Sequence, residues 1–270
     1  MLDLEFVEFS ETGPTRKNNE DHCGHVLPAT PEAAQARGWC FALADGVGGQ
    51  ADGEVASRLA IESVLSGFSS ISSTEALTAA LARLIRTANQ RVYEASGDTY
   101  RSGGMATTIV VCAIRYDRVT VAHVGDSRCY LVRRGQPNAL TRDHTVAAEH
   151  LRMGVLTSRQ AATANTAHLL SRSLGTELFV NVDTSDHLLT PGDVLLLCSD
   201  GLHRSVTPAE MAAAVGPKAD LKEAAAHLVS LANTRDGSDN VSVQIIRIKA
   251  VESVGMYRGR LYRLPRVPQL

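Results

Sequence analysis

The sequence lacks a long apolar run and an excess of charge of either sign. Its longest apolar stretches, such as the one ending at residues 194–198, are far shorter than the roughly 20 residues that a membrane-spanning helix needs. Its 27 Lys and Arg residues nearly balance its 29 Asp and Glu residues, for a formal charge of −2. The sequence therefore predicts no membrane span and no cationic surface for nucleic acid.

Cys-x-x-Cys pairs are also missing, and the sequence predicts no signal peptide. The five cysteines are an odd number and form no Cys-x-x-Cys pair, which suits neither a disulfide framework nor a structural zinc site. The first nine residues alternate acidic and apolar side chains and have no basic start, a pattern typical of a strand. We expect reduced, buried thiols, with Cys23 the least certain, in a cytoplasmic protein.

Size and composition allow one large domain. A chain of 270 residues with 44% apolar residues can bury a substantial core, and it contains no repeat, low-complexity block or obvious linker. Residues 251–270 differ, because they carry Arg258, Arg260, Arg263 and Arg266 with little periodicity. We predict one domain over residues 1–250, followed by a basic tail that is an arm or a junction.

Local patterns predict an α+β fold. Runs rich in β-branched residues predict strands at 4–9, 39–44, 107–114, 119–124, 179–187, 193–198 and 241–248. Helical periodicity appears within 55–65, 77–92 and 221–232, and capping boxes begin at Ser72, Thr157 and Thr207. Because the strands cluster and the helices come in pairs, we expect sheets in the middle with helices packed outside.

Aspartates at the ends of predicted strands are the most informative feature. They occur in Asp45-Gly46, Gly125-Asp126, Ser199-Asp200-Gly201 and Asp239-Asn240. Any one of these motifs is equally well a simple turn. Together, strands that end at one sheet edge would bring the carboxylates close enough to repel, and a cation would resolve that conflict. The donors are all hard oxygens, which favours Mg²⁺ or Mn²⁺.

These motifs and their order resemble those of the PPM (PP2C-type) metal-dependent protein phosphatases in their compact bacterial form. The resemblance runs from about Glu8 to Lys249. It is carried by Arg16-Lys17-Asn18-Asn19-Glu20-Asp21, Asp45-Gly46-Val47-Gly48-Gly49, Gly125-Asp126-Ser127-Arg128, Asp143-His144-Thr145, Ser199-Asp200-Gly201-Leu202 and Asp239-Asn240. It implies a central antiparallel β-sandwich with paired helices on both faces, a four-layer α-β-β-α fold, and a flap at residues 145–173.

The resemblance also implies a centre of two Mn²⁺ or Mg²⁺ ions. By motif, Asp45 bridges both ions, Asp200 and Asp239 complete one of them, and the carbonyl of Gly46 serves the other. Glycine at this position suits that role, because a backbone without a side chain can approach a metal closely.

Further positions carry supporting roles by the same resemblance. Glu20 and Asp21 act through metal-bound water, and Asp126 helps to bind a third, weaker metal. The matching position in the flap is His168, which is either a ligand of that third metal or a surface residue. Arg16 is the candidate for holding phosphate, because a guanidinium offers a planar fork to two phosphate oxygens.

The implied function is hydrolysis of phosphoserine and phosphothreonine by a water activated between two cations. The implied partners are phosphorylated proteins and a Ser/Thr kinase pathway that the phosphatase opposes, and we expect a monomer. One alternative is an inactive pseudophosphatase or sensor domain that keeps the fold and binds a partner. Another two-metal hydrolase, such as a nuclease, would need a basic groove that the balanced charge disfavours.

Five nearby residues also have structural interpretations. One alternative places Arg128 against substrate and gives the Asp143-His144 pair a role in proton transfer. We favour Arg128 as an ion-pair partner of a nearby acid and Asp143 and His144 as the end of a strand, so none of them is placed in the site. Ser127 lacks the Gly-x-Ser-x-Gly setting of a nucleophile. The role of Asn240 stays open between a hydrogen bond to phosphate and a turn.

Overall fold

A computed structural model describes residues 2–47, 52–97, 104–252, 254–257 and 260–263 of the chain. Gly48 and Gly49 of the Asp-Gly motif, and Arg258 and Arg266 of the basic tail, lie outside the described residues. The described chain forms two antiparallel sheets packed face to face, with helices on both outer surfaces.

The first sheet has the strand order β1-β11-β10-β7-β8. Its strands are β1 (Asp3–Glu11), β7 (Arg128–Arg133), β8 (Gln136–Ala139), β10 (Val194–Cys198) and β11 (Val241–Ala250). The strands pair antiparallel throughout. Because β10 runs out towards residue 199 while β11 starts at residue 241 beside it, residues 199–200 and 239–240 meet at one end of this sheet.

The second sheet has the order β2-β3-β5-β6-β9. Its strands are β2 (Asp21–Val26), β3 (Trp39–Val47), β5 (Ile109–Arg115), β6 (Arg118–Val124) and β9 (Asp183–Leu188), and the short β4 (Ala106–Thr107) also pairs with β3. All of these pairs are antiparallel. The register places Asp21 opposite Asp45, near the end of the sheet where β6 leads into Gly125 and Asp126.

Paired helices cover each outer surface of the sandwich. The second sheet carries α2 (Asp52–Phe68) and α3 (Leu77–Ser96), and the first carries α7 (Pro208–Ala214) and α8 (Leu221–Arg235). Shorter helices are α1 (Pro31–Ala36), α4 (Val146–Arg152), α5 (Ser158–Thr163) and α6 (Asp200–His203). The predicted four-layer α-β-β-α fold is confirmed.

Strand β3 shows how the alternation of a strand serves two core layers. Cys40, Ala42 and Ala44 pack against α2 and α3, whereas Phe41 and Leu43 pack between the two sheets. Successive side chains of a strand point to opposite faces, so Asp45 follows Phe41 and Leu43 onto the face between the sheets. The hydrophobic pattern that builds the core therefore also aims this carboxylate at the opposite sheet.

Some predicted elements need correction. The strand predicted at 179–187 begins only at Asp183, and Phe179 is 85% exposed, so its apolar character does not reflect a core strand. Helix α3 begins after Ala76, which makes no side-chain cap, while the Ser72 hydroxyl bonds Thr74 in the preceding turn. The capping boxes that begin at Thr157 and Thr207 are confirmed.

The five cysteines are all free, and four of them are buried while Cys23 is half-buried, as predicted. In the tail, β12 (Val254–Tyr257) and β13 (Arg260–Arg263) pair with each other in a separate two-stranded sheet. Part of the predicted arm is therefore a hairpin, and the domain boundary at residue 250 stays a prediction. Within the described ranges, no helix combines the length and apolar composition that crossing a membrane requires.

Candidate active site

Six acidic side chains gather at one end of the sandwich, and all six were predicted from the sequence. They are Glu20 and Asp21 at the start of β2, Asp45 in β3, Asp126 after β6, Asp200 after β10, and Asp239 before β11. Both sheets contribute: β2, β3 and β6 belong to the second sheet, and β10 and β11 belong to the first.

The backbone around Asp45 is fixed on both sides. Its N–H donates to Thr108 Oγ1 at 3.0 Å, and its carbonyl accepts from Thr107 Oγ1 at 2.8 Å and from the Thr108 N–H at 2.9 Å. The Ser127 hydroxyl is buried and lies 2.7 Å from Thr108 Oγ1. Ser127 is thus a supporting residue, in agreement with the sequence-based view that it is no nucleophile.

Gly46 occupies a position that only glycine fits. Its N–H donates to the carbonyl of Glu20 at 3.0 Å. A Cβ added at Gly46 would lie 2.2 Å from the carbonyl oxygen of Gly53 and 2.7 Å from that of Glu20. Both neighbours are backbone atoms that cannot turn aside, so the glycine permits the close packing of β2, β3 and the start of α2.

Asp21 and Asp200 each keep one buried carboxylate oxygen without a partner. Asp21 Oδ2 accepts from Ser199 Oγ at 2.8 Å, and Asp200 Oδ2 lies 2.6 Å from Arg204 Nη2. Among the described residues, neither Oδ1 atom has a hydrogen-bond partner. A buried carboxylate oxygen left unpaired is costly, and a divalent cation with its bound water would supply a partner for both oxygens.

In the absence of a cation, burial and mutual repulsion disfavour ionisation of several carboxylates of the cluster. Burial raises the pKa of Asp21 to about 7, with the charges of Asp200 and Asp239 adding to the effect. Burial and the charge of Asp200 raise the pKa of Asp126 to about 7. Burial and the same neighbouring carboxylates hold the pKa of Asp45 well above its usual range. These shifts are those of carboxylates gathered to hold positive charge.

Two arginines form ion pairs with the cluster: Arg16 with Asp239, and Arg204 with Asp200 and Asp126. Arg16 Nη2 lies 2.8 Å from Asp239 Oδ1, and its Nε donates to the carbonyl of Ser238 at 3.1 Å. Arg204, besides its contact with Asp200, lies 3.7 Å from Asp126 Oδ2. Arg16 was predicted from the sequence and Arg204 was not, because nothing in its local pattern distinguishes it from a surface arginine.

Asn240 joins the cluster internally and was left open by the sequence. Its Oδ1 accepts from the Glu20 N–H at 2.9 Å, while its Nδ2 donates to the carbonyls of Thr12 and Asn18 at 2.8 and 3.0 Å. Both amide hydrogens of this buried side chain are therefore used by backbone carbonyls. Its position supports the turn and not a hydrogen bond to phosphate.

A second cluster, of His123, His144 and Asp183, has donor atoms within 4.8 Å of one another. The two imidazole rings are stacked, with centroids 4.6 Å apart and planes 13° from parallel. Lone pairs lie in the ring planes, so nearly parallel rings do not direct them at one ion. Arg172 Nη1 also lies 3.2 Å from His144 Nε2 and donates to Asp183 at 2.9 Å. This arrangement does not fit a metal ion.

The same cluster fastens the base of the flap. His144 Nδ1 accepts the Gly125 N–H at 3.1 Å, so the ring is neutral, and burial lowers its pKa to about 4. Arg128 makes a two-pronged ion pair with Asp143 at 2.8 and 2.6 Å. The predicted ion pair of Arg128 is thus confirmed, whereas the prediction that Asp143 and His144 end a strand is wrong, because β8 ends at Ala139 and both residues lie in the loop before α4. His168 is exposed, and its link to a metal stays a prediction.

The geometry gathers hard oxygen donors, of the kind that Mg²⁺ and Mn²⁺ prefer, at one end of a four-layer sandwich. A family model described as protein phosphatase 2C matches residues 17–239. The chain belongs to the protein phosphatase 2C family, and the predicted metal-dependent phosphoprotein phosphatase is confirmed.

Individual relatives agree with this assignment. The chain is 33% identical over 240 residues to the serine/threonine phosphatase stp of Listeria innocua, which covers 88% of this chain and 93% of that protein. The S. agalactiae serine/threonine phosphatase superposes with a TM-score of 0.83 at 31% identity, covering 92% of this chain and 100% of that one. The catalytic domain of the phosphatase PstP, solved in complex with 2 manganese ions, has a TM-score of 0.77 at 31% identity and the same coverage.

Proposed function

We propose that this chain removes phosphate from phosphoserine and phosphothreonine, using two divalent cations held by Asp45, Asp200, Asp239 and the carbonyl of Gly46. The observation that carries the proposal is the pair of buried, unpartnered Oδ1 atoms of Asp21 and Asp200 within a cluster of raised carboxylate pKa values. When bound, two such cations lower the pKa of a water molecule and neutralise phosphate oxygens.

The residues of the chain determine where the cations would bind. Thr107 and Thr108 fix the backbone of Asp45, so its carboxylate, which would be the ligand shared by both cations, extends from a rigid segment of β3. Glu20 and Asp21 are buried beside it, and we propose that they act through bound water. Asp126 contributes to a third, weaker cation site.

Arg16 holds the phosphate in this proposal. Its Nε and Nη2 are engaged by Ser238 and Asp239, which orients the guanidinium beside a ligand carboxylate. The side chain is 44% exposed, so the other edge of its planar fork is open to an entering phosphate group. Arg16 thus binds substrate next to the cations without supplying a ligand oxygen.

The substrates are phosphoproteins, and we propose that the chain opposes a Ser/Thr kinase pathway as a monomer. A cytoplasmic location stays a prediction, supported by the five unpaired cysteines. The alternative of an inactive binding domain predicts metal or partner binding without release of phosphate.

Calorimetric titration of Mn²⁺ tests the ligand set. Asp200→Asn and Asp239→Asn should each weaken the tight sites by at least about tenfold, because a neutral amide is a poorer ligand for a hard cation. The matched control is Asp117→Asn, at the far end of β6 in the turn that joins it to β5. Tight sites that survive both ligand substitutions unchanged would contradict the assignment.

A further inference from the structure

Arg204 lies between two carboxylates of the site. Its Nη2 is 2.6 Å from Asp200 Oδ2 and 3.7 Å from Asp126 Oδ2. Among the described salt bridges, those that reach the predicted ligand carboxylates come only from Arg16 and Arg204, and only Arg204 contacts two of them. Its positive charge is therefore placed where a cation shared by Asp126 and Asp200 would lie.

The local structure holds Arg204 in this position. Asp200 and Arg204 are four residues apart, and the Arg204 N–H donates to the Asp200 carbonyl at 3.0 Å, so one turn around α6 places both side chains on the same face. The preceding residue, His203, contacts the carbonyl of Asp126 through Nε2 at 2.9 Å. His203 therefore contacts the backbone of Asp126, and Arg204 lies near its carboxylate.

The two oxygens of Asp200 have separate environments. Oδ2 is bonded to Arg204, whereas Oδ1 is buried without a partner among the described residues. Arg204 consequently leaves one oxygen for the two-cation centre while it occupies the oxygen that faces Asp126. A dication bound between Asp126 and Asp200 would have to break this ion pair and would be repelled by the guanidinium.

We infer that Arg204 competes with a third divalent cation for the Asp126–Asp200 pair and keeps that site weak, an inference that rests on the proposed two-cation centre. The side chain of Arg204 is 30% exposed, so it can move into water when the cation concentration is high. Arg204 is a positioning residue, because its guanidinium supplies at this place the positive charge that a third ion would supply.

Titration calorimetry of the metal-free full chain with Mn²⁺ tests the inference. Wild type should bind two ions tightly and a third weakly, and Arg204→Gln should strengthen the third site by on the order of tenfold to a hundredfold, because a charge-assisted hydrogen bond no longer has to be broken. Arg204→Lys, which keeps the charge, should stay close to wild type. The matched control is Arg83→Gln, which removes an arginine of α3 that is paired with Glu75, outside the site.

The double variant Asp126→Asn with Arg204→Gln locates the effect, because it should lose the strengthened third site and keep the two tight ones. A third site of unchanged affinity in Arg204→Gln would overturn the inference. Wild type that binds no Mn²⁺ tightly would instead contradict the proposed function, so the two failures are distinct.

A measurement on wild type keeps the test independent of how the neutral variant folds. The Arg204 Nε–H NMR signal, assigned by its loss in Arg204→Lys, should show a further change during Mg²⁺ titration after two equivalents have bound, beyond any change caused by the first two ions at Asp200. A signal that shows no such further change at high Mg²⁺ concentration would also overturn the inference.

Discussion

The side chain of Asn240 accepts the Glu20 N–H at 2.9 Å, across 220 positions of the chain. This bond joins the segment before β11 in one sheet to the segment before β2 in the other. Asp239 and Asp21 are the immediate neighbours of these two residues. The spacing between acidic residues of the two sheets is therefore set by an uncharged amide that contacts no ligand oxygen through its own side chain.

Asn240→Ala should destabilise the protein by about 3 kcal/mol, since it removes one buried and two part-buried hydrogen bonds worth roughly 1 kcal/mol each. Loss of the spacing should also weaken Mn²⁺ binding. Chemical denaturation of the metal-free protein measures the first effect and calorimetry the second. Asn138→Ala, in the exposed edge strand β8, is the control. A variant with unchanged stability would show that Asn240 only fills a turn.

Gly46→Ala should destabilise the protein by at least about 2 kcal/mol, because the added methyl group meets two backbone carbonyls. Gly216→Ala is the matched control, since its nearest atom would be 3.6 Å away. Thermal unfolding of both variants provides the comparison. Equal melting temperatures would mean that β2 and α2 adjust freely around Gly46.

Arg16→Ala should lower kcat/KM for a small aryl phosphate by roughly tenfold to a hundredfold, mainly through a higher KM, because a charged hydrogen bond to phosphate is lost. The affinity for Mn²⁺ should not fall, since Arg16 supplies no ligand oxygen. Lys17→Ala, which removes the adjacent exposed positive charge, is the control. Unchanged kinetics would assign phosphate binding to another group.

The metal-free protein should lose stability as the pH rises from 6.5 to 8. Asp21 and Asp126 have pKa values of about 7 in the folded protein, above those of unfolded aspartates, so the folded state binds more protons in this window. Two such groups give a loss on the order of 1 to 2 kcal/mol. His123, His144 and His203, whose pKa values burial lowers, offset part of this loss, because at pH 6.5 they bind protons only in the unfolded state. Asp45, whose pKa burial raises well above its usual range, adds to the loss.

Melting temperatures at the two pH values, with and without saturating Mn²⁺, check this expectation. Bound cations keep the carboxylates ionised, so the loss should disappear or reverse when Mn²⁺ is present. A metal-free protein that becomes more stable between pH 6.5 and 8 would contradict the carboxylate account.

The sequence predicted those parts of the fold whose residues repeat with one period. Strand β3 and helix α3 are examples, because their apolar residues mark the faces that they bury. Strand β2 was missed since Asp-His-Cys-Gly-His-Val has little β-branched character, and its pairing with β3 makes it a strand. The strand predicted to start at Phe179 was too long, because this residue is apolar but exposed, and apolar character alone does not report burial.

Site residues could be predicted where a short motif of adjacent residues carries the chemistry, as in Asp45-Gly46. The contributions of Asn240 and Arg204 depend on contacts with Glu20 and Asp126, which are far apart in sequence. No local pattern encodes such contacts, so the residues that support the site can be identified only from the packing of the two sheets.

The most direct test of the central claim is release of phosphate from a phosphothreonine peptide. With Mn²⁺, wild type and Asp117→Asn should turn over at similar rates, while EDTA should abolish the activity and Asp45→Asn should lower it by about three orders of magnitude or more. Asp45→Asn activity near that of wild type in Mn²⁺, or wild-type activity that persists in EDTA, would contradict a two-cation centre built on Asp45.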